Sequence, residues 1–218
     1  MKIAITLDDV IRNKSKQIIK IYKKYVDPDF DEDNVDLTTN DFQKILEYDT
    51  LQDYYKFLYE DYAFEIFAEG EVVEKMLDKK LNLWHIAIND YDEYDEPIEI
   101  MVANPFEFNA SIGYTHFFLS KIATRIRETF FPTDSLEIWN KCDVLITADP
   151  KLLKNKPEGK KSVKIETEYN KDVESDFTYD KLSTLLADQK FIDKLFMNEA
   201  ELVEEVNNNN ENDSETND

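Results

Sequence analysis

The chain opens on an almost uninterrupted apolar run, Ile3-Ala4-Ile5-Thr6-Leu7, which meets two adjacent carboxylates, Asp8-Asp9, and continues as Val10-Ile11-Arg12. A strand with one face in water alternates apolar and polar residues. A run with so little polar interruption predicts a strand buried on both faces, as at the centre of a parallel sheet. Two later segments repeat the pattern, Ile98 to Ala103, followed by Asn104-Pro105, and Asp143 to Thr147, followed by Ala148-Asp149-Pro150; Val163 to Glu166 reads as a fourth strand. Between them the apolar residues recur at three- and four-residue spacing. Ser15 to Tyr25 places Ile18, Ile19, Tyr22 and Tyr25 on one face among lysines and ends before Asp27-Pro28, because proline disfavours helix in the residue before it. Asp41 to Lys80 reads as helical almost throughout, interrupted at Gly70, with Glu71 to Leu81 starting a further helix through Val72, Val73, Met76 and Leu77. Leu81 to Ile88 fits helix or strand. Ile112 to Phe131 predicts one long helix with Phe117, Phe118, Ile122 and Ile126 inward, stopped by Pro132. Phe177 to Asp188 and Lys190 to Val206 predict closing helices.

Strands separated by helices indicate an α/β fold with a doubly wound, mainly parallel sheet. Residues 1–12 and 96–190 form its core, and residues 13–95 form a helical, cap-like insertion. Residues 191–206 add a C-terminal helix. The tail from Asn207 to Asp218 is acidic, rich in asparagine and without an apolar residue, so it is expected to be disordered. The aromatic stripe of Tyr54, Tyr55, Phe57, Tyr59, Tyr62, Phe64 and Phe67 is expected to be core rather than a partner surface.

Composition narrows the function classes. A formal charge of −22 disfavours direct binding to nucleic acid or to an anionic membrane surface. No apolar run approaches the ~20 residues of a membrane helix, and the first residues are too short an apolar run for a signal peptide. The single cysteine, Cys142, excludes an internal disulfide and fits a reducing compartment. Asp27, Asp29, Asp31 and Asp33 alternate as in a calcium loop, but Glu32 stands at the glycine position and Thr38 at the bidentate glutamate position, so a solvated acidic loop is expected. His85 and His116 are too few to suggest a metal cluster, and Gly70, Gly113 and Gly159 stand alone rather than in a phosphate loop.

Acids at the carboxyl end of a central strand stand where open α/β sheets place their ligands. Thr6-Leu7-Asp8-Asp9-Val10, Val102-Ala103-Asn104 and Leu145-Ile146-Thr147-Ala148-Asp149, with Lys141 as a loose third-motif lysine, resemble the motifs of the haloacid dehalogenase-like (HAD-like) superfamily. The resemblance implies a magnesium-dependent phosphoryl-transfer site in which the first motif supplies an aspartate nucleophile. Thr6 holds that position here, and a threonine hydroxyl is a poor nucleophile without an adjacent base. Taking Asp8 as the nucleophile instead puts Val10 where the acid/base belongs. Asp8 and Asp149 remain as oxygen ligands of a vestigial magnesium site. If the chain were active, Asp8, Asp9 and Lys141 would be its catalytic residues. Acids at strand ends also cap helices, and Asp8 or Asp9 has that role open to it.

The second half of the chain, with Ser111-Ile-Gly-Tyr-Thr-His and Lys154-Asn-Lys-Pro-Glu-Gly-Lys-Lys, is similar to HAD-like proteins encoded by crAss-like bacteriophages. That resemblance implies a phage protein, in the host cytoplasm or in a virion or tail, whose domain serves assembly. The expectation is therefore a non-enzymatic structural or interaction protein with protein partners and no required cofactor. The alternatives are a HAD-like magnesium-dependent phosphatase or 5′-nucleotidase-like hydrolase, and an acidic mimic of nucleic acid.

Overall fold

The computed structural model describes residues 1–89, 98–105, 108–122 and 124–196. Six strands form a single sheet: β1 (Lys2–Thr6), β2 (Glu99–Ala103), β3 (Glu128–Phe130), β4 (Val144–Thr147), β5 (Lys161–Ile165) and β6 (Phe177–Tyr179). Every pairing is parallel, in the order β3-β2-β1-β4-β5-β6. The apolar run at the start of the chain is thus a central strand. Strand order reverses beside it, which opens a crevice at the carboxyl ends of β1 and β4.

Side chains alternate across each strand, and in β1, β2, β4 and β5 both sets are largely buried. Ile3, Ile5, Leu7, Ile100, Val102, Val144 and Ile146 join the apolar cluster on one face. Ala4, Met101, Ala103 and Leu145 pack on the other against Ile138, Trp139 and Leu152. The first face is covered by α4 (Leu77–Asn89), α5 (Asn109–Lys121), α7 (Leu182–Ala187) and α8 (Phe191–Phe196). The second is covered by a 3-10 segment, Ser135–Lys141, and by α6 (Pro150–Lys154).

A separate cluster gathers α1 (Lys14–Tyr25), α2 (Phe42–Ile45), α3 (Leu51–Tyr55) and two π-helical turns, Lys56–Asp61 and Phe64–Ala68. Its buried members run from Ile18 to Phe67. The insertion expected to extend to residue 95 therefore divides, because Leu77, Leu81, Trp84 and Ile88 belong to the sheet's own cluster. Most of the aromatic stripe is core as expected. Phe57, Tyr59 and Phe67 are buried, whereas Phe64 is 40% exposed.

Four expectations are corrected. The stretch 71–76 is not helical: Val72 bridges to Arg12, and the Val73 N–H donates to the Ile11 carbonyl at 2.9 Å. Backbone pairing with residues 11–13 takes the hydrogen bonds a helix would have used, and α4 starts only at Leu77. The segment 81–88, which fitted helix or strand, continues this helix. The long helix expected over 112–131 ends at Lys121, and Glu128–Phe130 adds an edge strand beside β2. Within α5, Phe118 is buried but Phe117 is 51% exposed. Phe177–Tyr179 is likewise a strand, in keeping with the β-propensity of Phe, Thr and Tyr. The disordered tail expected over 207–218 and most of the helix expected over 191–206 lie outside the described residues. Among the described residues no helix is long and apolar enough to cross a membrane.

Candidate functional site

The turn after β1 builds the site. The Leu7 carbonyl accepts from the N–H groups of both Ile11 (2.9 Å) and Arg12 (2.8 Å), and the Asp9 N–H donates to the Arg12 carbonyl at 2.7 Å. Asp9 takes the left-handed conformation, φ +58°, an arrangement that aspartate tolerates better than most residues. The chain thereby doubles back, and Arg12 returns to stand against Asp8.

Arg12 is fully buried. Its Nε donates to Asp8 Oδ1 at 2.9 Å, and Nη2 donates to the same oxygen. Nη1 donates to the Phe67 carbonyl (2.8 Å) and to Thr115 Oγ1 (3.1 Å). The guanidinium carbon lies 5.2 Å and 5.5 Å from the ring centroids of Phe67 and Phe118, a cation–π arrangement on both sides. Gly70 permits this packing, since a Cβ there would come within 3.1 Å of Arg12 Cδ. The second oxygen of Asp8 receives the Lys14 ammonium at 3.2 Å and Asn104 Nδ2 at 3.1 Å. Asn104 also accepts from the Asp8 N–H and is held at the end of β2 by its own N–H to the Phe130 carbonyl. Burial alone would raise the Asp8 pKa, but the Arg12 and Lys14 charges outweigh it and hold the carboxyl down at about 2.

The neighbouring acids are differently placed. Asp9 accepts from the Ser15 N–H (2.9 Å), from the Ser15 hydroxyl, and from the Tyr169 hydroxyl (3.0 Å). Burial raises its pKa despite these bonds. Tyr169 is also raised, by its own burial first and by Asp9 second. Asp149 is the N-cap of α6, accepting from the Lys151 N–H at 2.7 Å with Pro150 in the first turn. The cap of α1 is Asn13, not Asp8 or Asp9. Thr6, expected from the motif resemblance at the nucleophile position, donates its hydroxyl to Thr147 Oγ1 at 3.0 Å across β1 and β4.

Asp8, Asp9 and Asp149 line one cavity of about 320 Å³ at the carboxyl edge of the sheet, closed on the insertion side by residues including Tyr54, Tyr55 and Tyr59. Lys141 is not among its lining residues; its ammonium lies 5.8 Å from the Phe130 ring centroid. Nor do His85 and His116 line it. Cys142 is buried, donates to the Ile138 carbonyl, and has its thiol pushed up to about 12 by burial, which makes it structural. Sequence reasoning missed Arg12, Lys14, Ser15 and Tyr169. The one signal available was the four-residue spacing of Asp8 and Arg12.

The residues present do not fit the magnesium ion that the motif resemblance implies. A hard cation needs free anionic oxygens, and both oxygens of Asp8 already face cationic groups. Thr6 supplies no charge, and Asp149 spends one oxygen on the helix cap. Among the described residues no group of three or more His, Cys, Asp or Glu side chains is placed to hold a metal ion.

The opposite environments of Asp8 and Asp9 lead to a prediction. A raised folded-state pKa means that the neutral form is favoured, and the associated stability is lost as pH rises through that value. Asp9→Asn keeps the left-handed turn and an acceptor for Ser15 while removing the buried charge. It should raise the melting temperature at pH 7, because it removes the burial cost of ionising this carboxyl. The gain should shrink near pH 4, and thermal melts at the two pH values check it.

No family model and no curated protein matches the sequence. Among solved structures, the chain is similar to one described as a haloacid dehalogenase-like hydrolase from Burkholderia xenovorans, at 10% identity and a TM-score of 0.48, covering 88% of this chain and 97% of that one.

Proposed function

We propose that this chain is a non-enzymatic interaction protein, built on an α/β domain that resembles HAD-like proteins and serving a larger protein assembly. The observation that carries this reading is the state of Asp8. A nucleophile or metal ligand must present a free oxygen, and this carboxylate is bound on one side by Arg12 and on the other by Lys14 and Asn104. Thr6 lines the same cavity, but its hydroxyl donates to Thr147, so the register with Thr6 as nucleophile fares no better.

An exposed aromatic surface supports the interaction role. Tyr25, Phe64 and Phe117 are 45%, 40% and 51% exposed. Tyr25 stacks on Tyr62 at 5.1 Å, and Phe64 meets Tyr114 and Phe117 at 5.6 Å and 5.9 Å. Rings held together in this way without being covered suit a protein contact. The sequence resemblance to phage-encoded proteins supports a virion or tail assembly as the setting, reached through the host cytoplasm. The alternative, a magnesium-dependent phosphatase or nucleotidase, draws support from the position of the cavity at the strand ends.

The full chain with magnesium is expected to release no phosphate from p-nitrophenyl phosphate or from nucleoside 5′-monophosphates above a protein-free control. Robust turnover that Asp8→Asn abolishes would overturn the non-enzymatic reading and favour the hydrolase.

A further inference from the structure

The helices covering one face of the sheet leave a groove between them. α4 supplies one wall, with Leu83, Trp84 and Ile88, and α7 with α8 supplies the other, with Leu186 and Ile192, around a space of about 650 Å³. The Trp84 ring centroid lies 6.4 Å from that of Phe191, and this buried contact ties the two walls together. Leu83 lines the groove while 67% exposed, more than any other large apolar side chain among the described residues. An isolated exposed leucine is ordinary, but this one stands beside a space larger than its own side chain. A projection and a recess on the same face make that face self-complementary, and such a face pairs with its own copy about a two-fold axis.

Charge selects the same partner. The chain carries −22, so most approaches of one copy to another bring like charges together. The groove is different. Among the described residues its lining holds Lys80 on the α4 wall and two acids, Asp188 and Asp193, on the other; Lys194 answers Asp188 at 2.9 Å. A two-fold axis running along the groove sets the α4 wall of each copy over the α7–α8 wall of the other. Lys80 of each copy then faces the wall that carries Asp193, and Leu83 of each meets the other's recess. A strongly basic partner would be matched better by the acidic stretch 27–36 than by walls that already carry both signs.

We propose that this groove is the interface of a homodimer, closed by the same groove of a second copy. The inference goes beyond the assembly role proposed above, uses none of Tyr25, Phe64 and Phe117, and is independent of whether Asp8 acts chemically.

Sedimentation equilibrium of the full chain over a range of concentrations tests it. A reversible monomer–dimer equilibrium is expected. Added salt should shift it toward dimer, because screening relieves the repulsion between two chains of −22 by more than it weakens two exposed ion pairs. Leu83→Glu keeps a good helix former at an exposed position and should weaken the dimer by roughly tenfold or more, with a thermal melt showing that the monomer stays folded. Phe117→Ser, on the exposed aromatic surface, should leave the dimer unchanged. Lys80→Asp and Asp193→Lys should each dimerise more weakly alone and recover when mixed, since each then offers the other the opposite charge. A monomer at every concentration and salt overturns the proposal and leaves the groove to a different partner. A dimer that Leu83→Glu leaves intact, or that mixing the charge variants does not restore, overturns it as well. Phosphate-ester turnover would instead remove the non-enzymatic reading and leave the dimer standing.

Discussion

Replacing Arg12 with methionine is expected to destabilise the protein by about 3–5 kcal/mol, the usual cost of breaking a buried ion pair from one side. Methionine fills part of the same volume between Phe67 and Phe118, so the loss reports mainly on charge and hydrogen bonding. The substitution leaves Asp8 with Lys14 and Asn104 and strips donors from the Phe67 carbonyl and Thr115. Denaturant unfolding of Arg12→Met, Asp8→Asn and the double variant measures the coupling. The double variant should be less destabilised than the sum of the single ones, because each single change strands the other partner. The same pair fixes an acid dependence. Asp8 titrates at about 2 in the folded protein, below its ordinary value. Its contribution is therefore complete above about pH 4 and is lost as pH falls through the folded pKa. In Arg12→Met that acid-side loss should be smaller.

The second large effect is expected at Trp139, on the opposite face of the sheet from the helices α4, α5 and α7. Trp139 is almost fully buried among Ala4, Met101, Leu145 and Leu152. Its Nε1 donates to the Leu152 carbonyl at 3.0 Å. Trp139→Ala should cost about 3–5 kcal/mol through lost burial and the cavity left behind. Trp139→Phe retains most of the apolar contact but leaves the Leu152 carbonyl without this donor, and should cost about 1–3 kcal/mol. Since Leu152 lies in α6 and Asp149 caps it, loosening this contact should also disturb Asp149. Thermal melts give the stability change.

β1, β2 and β4 were legible because a sheet covered on both sides buries nearly every residue along them, and that burial leaves an apolar run in the chain; β5, with Lys161, Ser162 and Lys164, carries no such run. The edge strands β3 and β6 were not legible. Each has three residues, too few to establish a period, and Ile122 and Ile126 sit four apart just before β3, imitating a helical face. The same limitation applies to the site. Asp8 and Asp149 were visible as acids closing apolar runs. Arg12 was not visible, because its burial depends on a left-handed turn at Asp9 and on a carbonyl from Phe67, far along the chain. Periodicity along a chain carries no trace of a contact between segments 55 residues apart.

Arg12 has a consequence for the protein's surroundings. Many acidic clefts depend on a soluble counter-ion, and their shape then follows the ionic composition of the medium. Here the guanidinium that neutralises Asp8 is part of the chain and shielded from water. The carboxyl edge of β1 should therefore hold its form alike in a chelator-treated buffer and in a divalent-rich one, as a pre-set surface rather than one assembled on demand.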